Sequence, residues 1–329
     1  MPIVPSSFKP PRLFGNGHLQ TLIPALFRKS DPSVYTRQRI TTPDDDFLDL
    51  DTIYTGSDKL VILCHGLEGS SHSTSVVSMA AYLSKNGFDT LVLNFRSCSG
   101  EMNNQLRFYH SGETGDLDFV IKQTLEEKKY KELYLLGFSL GGNVVLKYVG
   151  EQGADIPIQI KKAVTISAPC HLESSAYYMN RWATRIYLNR FLRSLKNKIR
   201  IKHKMMPGRI SIDGLDKIKS FHDFDNRYTG PMHGFCDAHD YYTQSSSLFY
   251  LENIKIPSLI LNAKDDPFLP KECYPIEIAE KHSFLYLEMP DSGGHVGFFE
   301  GKINGIYWSE RRVVEFFKDN NLCYQTRFH

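Results

Sequence analysis

Six short apolar runs recur along the chain with helical patterns between them, and this alternation constrains the fold more than any other feature. The runs occupy residues 59–66, 89–96, 132–139, 161–169, 257–266 and 284–291. Because they are almost continuously apolar, we expect strands buried on both faces, as in a parallel sheet that helices cover. Helical patterns fill 73–87, 113–129 and 142–153, and Gly87 and Gly150 suit helix C-termini. The sequence therefore predicts an α/β fold, with a mostly parallel central sheet flanked by helices.

Two segments depart from this alternation. Residues 35–56 alternate between apolar and polar around a turn, which predicts an antiparallel hairpin at one edge of the sheet. Residues 170–255, after the sixth predicted strand, carry no buried-strand signal and far exceed the about 12–15 residues of an ordinary loop. We therefore expect a helical cap there, including a helix within 177–204, over the sheet edge where α/β proteins bind ligands. This divides the chain into a first core part (1–169), a cap or lid (170–255) and a second core part (256–329).

Composition excludes several classes of protein. The formal net charge is +2, so nothing indicates a nucleic acid as partner. The six cysteines, Cys323 among them, are scattered without a CxxC pair, which is typical of reduced thiols. The N-terminus lacks the layout of a signal peptide, and no apolar run approaches the roughly 20 residues that cross a bilayer. We therefore expect a cytoplasmic protein. No metal site is predicted, because the acidic stretch 43–51 lacks the glycine and glutamate of a calcium loop.

The stretch GFSLG at 137–141 places Ser139 between two glycines, where a strand is followed by a helix. This is the context of a nucleophile elbow, a sharp turn that exposes a serine hydroxyl. Gly137 and Gly141 leave room for the tightly packed backbone beside the serine. The N–H groups that begin the helix favour developing negative charge. We therefore predict that Ser139 is a nucleophile rather than a plain turn residue.

A serine nucleophile needs a base, and after a nucleophile elbow the acid and then the histidine follow along the chain. The run at 257–266 ends in two aspartates, Asp265 and Asp266. Asp266 precedes Pro267, which favours an extended backbone leading into a loop. We therefore favour Asp266 as the acid, while Asp265, as a turn or capping residue, stays an alternative.

Three histidines follow the two aspartates. His282 lies within a helical pattern and His329 is the last residue. His295 lies in a glycine-rich loop directly after the last predicted strand, so this loop can extend over the sheet edge toward Ser139. We predict that His295 is the base.

An oxyanion hole needs two backbone N–H groups directed at the developing negative charge. The residue after the nucleophile, Leu140, supplies one. The turn after the first parallel strand, CHGLEGSSHS at 64–73, supplies the second through Leu67. His65 precedes the serine at a strand end, and we interpret it as structural.

Longer motifs throughout the chain resemble those of one branch of the α/β-hydrolases, the YheT-like or embryogenesis-associated hydrolases. They are FGNGHLQTL (14–22), HGLEGSSHS (65–73), NFRSCSGEMN (94–103), YHSGETGDLDF (109–119), GFSLGGN (137–143), FDNRYTGPMHGF (224–235), NAKDDPF (262–268) and GGHVGFFEG (293–301). The resemblance implies an α/β-hydrolase fold with a helical cap after strand six and carboxylic-ester chemistry. It also implies that the charge-relay residues are Ser139, Asp266 and His295.

Three positions within these motifs are notable. Ser97 stands where relatives usually carry glycine, and Gly17 stands where proline is common. For His18 we favour a buried structural hydrogen bond over a catalytic part.

These observations predict a serine carboxylesterase or lipase-like hydrolase that acts without a cofactor on a small-molecule ester or lipid. Apolar cap residues predict a short- to medium-chain acyl group: Trp182, Ile186, Leu188 and Phe191. An alcohol O-acyltransferase with the same acyl-enzyme is an alternative, as is a non-catalytic binding protein on this fold. The sequence does not indicate an oligomeric state.

Residues 181–209 contain ten lysines or arginines and no acidic residue. Such a segment can attract anionic lipid or a membrane surface. We favour a solvated cap face, whose apolar stripe packs on the core, and keep weak membrane-surface contact as the alternative.

Overall fold

A nine-stranded sheet lies at the centre of residues 3–319, the part of the chain that the computed structural model describes. The strands are β1 (Ile3–Val4), β2 (Thr36–Thr41), β3 (Phe47–Ile53), β4 (Lys59–Cys64), β5 (Asp89–Asn94), β6 (Glu132–Phe138), β7 (Ile160–Ile166), β8 (Ser258–Leu261) and β9 (Leu285–Glu288). Their order is β1-β9-β8-β7-β6-β4-β5-β3-β2. In this spatial order, all neighbouring strands from β1 at one edge as far as β5 are parallel to each other. The last two strands form the antiparallel part, in which β3 pairs with both β5 and β2. The predicted mostly parallel sheet, with a hairpin at one edge, is confirmed.

Helices cover both faces of the sheet because successive strand residues point to opposite sides. The helices are α1 (Gly17–Phe27), α2 (Thr74–Lys85), α3 (Gly115–Glu126), α4 (Leu140–Gln152), α5 (Leu172–Tyr178), α6 (Arg185–Met205), α7 (Phe221–Phe224), α8 (Gly230–Met232), α9 (Ala238–Ser245), α10 (Ile276–Lys281) and α11 (Trp308–Lys318). In β4, Leu60 and Ile62 belong to one buried core with residues of α3 and α4. Val61 and Leu63 belong to the other, with residues of α2 and α11.

The cap segment 170–255 lies between β7 and β8 and contains α5 to α9. The helix predicted within 177–204 is shorter at its start, because a 3-10 turn at Trp182–Thr184 precedes α6. Of the described helices, none is both long and apolar enough to cross a bilayer. The three predicted chain segments stay a prediction, and Cys323 and His329 lie outside the described residues.

One short strand precedes those that the sequence predicts. Ile3 and Val4 form β1, which pairs in parallel with β9, so the cap follows the seventh strand in chain order. Two residues are too few to show a hydrophobic period, and only the pairing with β9 makes them a strand.

Two positions differ from the sequence expectations about glycine. Gly150 lies inside α4 rather than at its end. A side chain is excluded there, because a Cβ would be 2.3 Å from the carbonyl oxygen of Tyr250. Gly153, with φ 51°, follows the helix instead. Ser97 has φ 63°, a conformation that favours glycine, and its hydroxyl hydrogen-bonds Asn103 Oδ1 at 2.5 Å.

Candidate active site

The carboxyl ends of four parallel strands bring the sequence-predicted site residues together. Leu67 follows β4, Ser139 follows β6, Asp266 follows β8, and His295 lies in the loop after β9. Because these strands are parallel, the loops after them lie at one edge of the sheet. Residues distant in sequence therefore come within hydrogen-bonding distance.

Ser139 occupies a strained turn between β6 and α4. Its φ of 51° and ψ of −119° lie in a region that residues with a side chain rarely adopt. The surrounding backbone leaves no space for Cβ atoms at the two flanking glycines. A Cβ at Gly137 would lie 2.3 Å from the Gly141 carbonyl oxygen, and one at Gly141 would lie 2.3 Å from that of Cys64. The GxSxG spacing is therefore required by close backbone packing.

Ser139, His295 and Asp266 form a continuous hydrogen-bonded chain. The Ser139 Oγ is 2.9 Å from His295 Nε2, and His295 Nδ1 is 2.8 Å from Asp266 Oδ2. The Asp266 side chain is fully buried and also accepts the backbone N–H of Phe268 at 2.8 Å. Because a carboxylate only accepts, Nδ1 of the neutral ring carries the proton and Nε2 accepts from the serine hydroxyl.

The two neighbouring aspartates have different partners. Asp265 accepts hydrogen bonds from the Gly294 N–H at 2.8 Å and the Ser292 hydroxyl at 3.0 Å. Burial raises the pKa of Asp265, and the charge of Asp266 adds to the rise. Asp265 therefore holds the loop that carries His295, whereas Asp266 contacts the imidazole.

The N-terminal helix α1 holds the same loop from the other side. Thr21 Oγ1 accepts the backbone N–H of His295 at 2.8 Å. Gln20 makes two hydrogen bonds with the backbone of Phe299, accepting its N–H at 2.7 Å and donating to its carbonyl at 3.1 Å. Sequence reasoning missed this positioning role, although the specific GHLQT motif was a signal for it.

Gly17 and His18 belong to the same motif. A Cβ at Gly17 would lie 1.9 Å from the carbonyl oxygen of Asp265, so the helix packs directly against the acid loop. His18 is half-buried rather than buried, and its Nδ1 lies 3.2 Å from the Tyr187 hydroxyl of α6. His18 therefore joins α1 to the cap.

Leu67 and Leu140 line the same cavity as Ser139 and His295. Among the described residues, neither leucine N–H donates to a protein acceptor. Leu140 is the first residue of α4, where helical N–H groups lack an intrahelical partner. Within residues 3–319 both amides are therefore without a protein acceptor, and their part in an oxyanion hole stays a prediction.

His65 is a structural part of the turn before Leu67. Its Nδ1 donates to the Gly66 carbonyl at 2.8 Å, and its Nε2 accepts the Phe95 N–H at 3.1 Å. Burial lowers the pKa of His65 to about 4, so the ring is neutral near pH 7.

Glu68, next to Leu67, connects this turn to the cap and was missed by sequence reasoning. It has φ 54°, and its carboxylate accepts from the Tyr109 hydroxyl at 2.8 Å and from Lys198 Nζ at 2.7 Å. Ser194 of α6 also donates to it. The only sequence signal was its place in the motif HGLEGSSHS.

A largely apolar cavity lies above Ser139, with an empty volume of about 1090 Å³ that includes its open mouth. Residues of the cap form much of its wall: Met179, Phe191, Leu195, Ile199, Phe221 and Phe224. Within residues 3–319, no cluster of three or more His, Cys, Asp or Glu is arranged to hold a metal.

Of the cap residues predicted to bind substrate, the structure places only Phe191 in the cavity wall. The prediction is wrong for Trp182 and Ile186, which are 93% and 68% exposed on the outside of the cap. Leu188 is buried in the core beneath. At about 100° per residue, Phe191 points roughly 140° away from Ile186 around α6.

The cap also contributes a carboxyl group to the cavity wall. Asp225 begins a π-helical turn and accepts from the hydroxyls of Thr229 at 2.6 Å and Tyr242 at 2.7 Å. Burial raises the pKa of Asp225 to about 6, because the surrounding wall disfavours its charged form.

We expect Asp225→Asn to stabilise the protein at pH 7.5 by on the order of 1–3 kcal/mol, and by less at pH 4. The folded pKa of about 6 lies above the ordinary 3.8, so the wild type loses stability as the pH rises through this interval. Asparagine does not ionise, so the stability of the variant does not fall over this pH interval. Thermal melting at pH 4, 6 and 7.5 checks this, with the exposed Asp223→Asn as control. Parallel pH dependence in the variant and the wild type contradicts the assignment.

Comparison with known proteins identifies the family. The profile of the α/β hydrolase fold matches residues 59–302. The candidate esterase YheT of Escherichia coli (strain K12) is 35% identical over 317 residues, covering 94% of this chain and 92% of that protein. The phospholipase ABHD3 of Homo sapiens is 30% identical, with 91% and 75% covered. The Pyrococcus furiosus esterase Pf2001 has a similar fold, with TM-score 0.58, 20% identity, and 88% and 97% of the chains covered. The chain therefore belongs to the α/β-hydrolase family, and its resemblance to the YheT-like branch is confirmed.

Proposed function

We propose that the protein is a serine hydrolase of carboxylic esters that forms an acyl-enzyme on Ser139. The coarser assignment, an esterase- or lipase-type α/β-hydrolase, follows from the family and from relatives named as esterase and phospholipase. The acyl-enzyme mechanism is supported by one observation above all, the hydrogen-bonded chain Ser139–His295–Asp266 at the base of an apolar cavity, with distances of 2.9 and 2.8 Å.

In the first half of the reaction, His295 Nε2 takes the hydroxyl proton as Ser139 Oγ attacks the ester carbonyl carbon. Asp266 holds the ring in the required tautomer and stabilises the imidazolium. The N–H groups of Leu67 and Leu140 stabilise the negative oxygen of the tetrahedral intermediate. Collapse of this intermediate breaks the bond to the alcohol, which leaves with the proton from His295.

In the second half, water takes the place of the alcohol. His295 removes a proton from the water as it attacks the acyl carbon, and the bond to Ser139 Oγ breaks. The carboxylic acid leaves and the serine recovers its proton. An alcohol in place of the water transfers the acyl group instead, so the acyltransferase alternative differs only in this step.

The apolar wall favours a short- to medium-chain acyl group. We expect kcat/KM for p-nitrophenyl esters to rise about fourfold per added methylene until the cavity is filled, because each buried CH₂ contributes about 0.8 kcal/mol. Phe191→Ala enlarges the cavity, so the acyl chain length that gives the highest kcat/KM increases in this variant. The matched control is Phe249→Ala, at an exposed cap phenylalanine.

The same assay tests the proposed function. A folded wild type that hydrolyses none of the esters contradicts it, and an unchanged chain-length profile in Phe191→Ala contradicts the acyl site. Repeating the assay in water–ethanol mixtures separates hydrolysis from transfer. Ethyl ester in excess of the mole share of ethanol favours the acyltransferase.

A further inference from the structure

The outer face of α6 combines exposed apolar side chains with cations. We define the α6 face by Trp182, Arg185, Ile186, Arg190, Arg193, Ile201, Lys204 and Met205, all of which are exposed. Because a helix turns about 100° per residue, most of these side chains project on one side of α6. Phe191, Leu195 and Ile199, on the opposite side, line the cavity. A surface bound to the α6 face is therefore separated from the catalytic cavity by a single helix.

Four cations of this face lack a carboxylate partner in the described part of the chain. Within residues 3–319, no carboxylate is paired with Arg185, Arg190, Arg193 or Lys204. Of the other basic residues in 181–209, Arg181 donates to the Pro267 carbonyl, Arg209 is exposed, and the remaining four are engaged elsewhere. Lys198 pairs with Glu68, Arg200 pairs with Asp216, Lys196 donates to the Ile218 carbonyl, and Lys202 is buried.

The apolar members of the face have the character of interfacial anchors. Trp182 is 93% exposed, and Ile186, one turn further, is 68% exposed. Large apolar side chains with such exposure are unfavourable in water. An indole beside cations is typical of the headgroup level of a membrane. There the apolar ring contacts lipid while the N–H stays hydrated.

We propose that the α6 face docks the protein on anionic lipid bilayers, with Trp182 inserted at the headgroup level. Each cation near an anionic surface contributes about 1 kcal/mol, and the apolar side chains add burial that salt does not screen. This inference goes beyond the proposed function, because docking requires no ester hydrolysis.

The test is co-flotation with vesicles of equal parts phosphatidylglycerol and phosphatidylcholine, compared with pure phosphatidylcholine. The wild type binds the anionic vesicles at low salt and less at 0.5 M salt. Arg190→Gln with Arg193→Gln lowers the partition coefficient about thirtyfold, since two cations are removed. Trp182→Ala with Ile186→Ala lowers it at least tenfold. Lys85→Gln with Lys128→Gln, and Ile158→Ala, are matched controls at exposed positions elsewhere and leave it unchanged.

Trp182 also gives a direct spectroscopic signal, because the chain has two tryptophans and the other, Trp308, is buried. In a Trp308→Phe background, the emission shifts to shorter wavelength when anionic vesicles are added. If this variant does not fold, the same shift is measured in the wild type.

Several results overturn the proposal. The first is a folded wild type that does not float with anionic vesicles, and the second is equal loss of binding in the control variants. A third is a dimer in size-exclusion chromatography that the face variants dissociate, because a second copy then covers the face. Ser139→Ala retains binding, so failure of the proposed esterase and failure of docking are distinguishable.

Discussion

Ser139→Ala is expected to lower kcat for p-nitrophenyl butyrate by about 10⁵- to 10⁶-fold, because no acyl-enzyme can form without the hydroxyl. A small residual rate over water is expected, since the variant keeps the proposed oxyanion amides and the cavity. Removing the Ser139 hydroxyl leaves only a small gap. The close backbone packing at Gly137 and Gly141 keeps the turn in place, so the variant retains its fold.

Stopped assays together with fluorophosphonate labelling check this expectation. The wild type is labelled once and Ser139→Ala is not labelled, whereas Ser84→Ala, on helix α2 far from the elbow, behaves as the wild type. Labelling of Ser139→Ala at the wild-type rate contradicts the nucleophile. A well-folded wild type that is never labelled contradicts the whole mechanism.

Asp266→Asn is expected to lower kcat by about 10⁴-fold without unfolding the protein. The amide can donate to His295 Nδ1, which then loses its proton and leaves Nε2 protonated and unable to accept from Ser139. Asp265→Asn should lower kcat only about tenfold, because an amide oxygen can still accept the Gly294 N–H that Asp265 accepts at 2.8 Å.

The adjacent aspartates make this a matched pair. Steady-state kinetics and thermal melting of both variants separate the catalytic acid from the positioning residue. Equal losses of kcat in the two variants contradict the assignment, and so does a greater loss in Asp265→Asn.

Much of the architecture could be predicted because the relevant signals are local. Strands buried on both faces must be apolar at every position, so the runs at 59–66 and 132–139 were visible without any tertiary information. The nucleophile turn was visible from its GxSxG spacing. Gly137 packs against Gly141 within the turn, whereas Gly141 packs against Cys64 of a neighbouring strand. The chain order of serine, acid and histidine then restricted the base to three histidines, and the glycine-rich loop after the last predicted strand favoured His295.

The division of labour between Asp265 and Asp266 could not be derived in this way. Both follow the same strand, and a one-residue difference decides which carboxylate faces the imidazole. The structure separates them through partners far along the chain, with Gly294 and Ser292 on Asp265 and His295 on Asp266.

What the sequence by itself determined is the set of strands buried on both faces of the sheet, the edge hairpin, and the turn that presents Ser139. Only the tertiary structure decided which side of α6 faces the cavity, since Phe191 and Ile186 are both apolar and their difference arises from packing against the core. It also decided the role of the N-terminal helix. The contact of His18 with Tyr187 joins positions 169 residues apart, and local periodicity contains no information about such distant pairs.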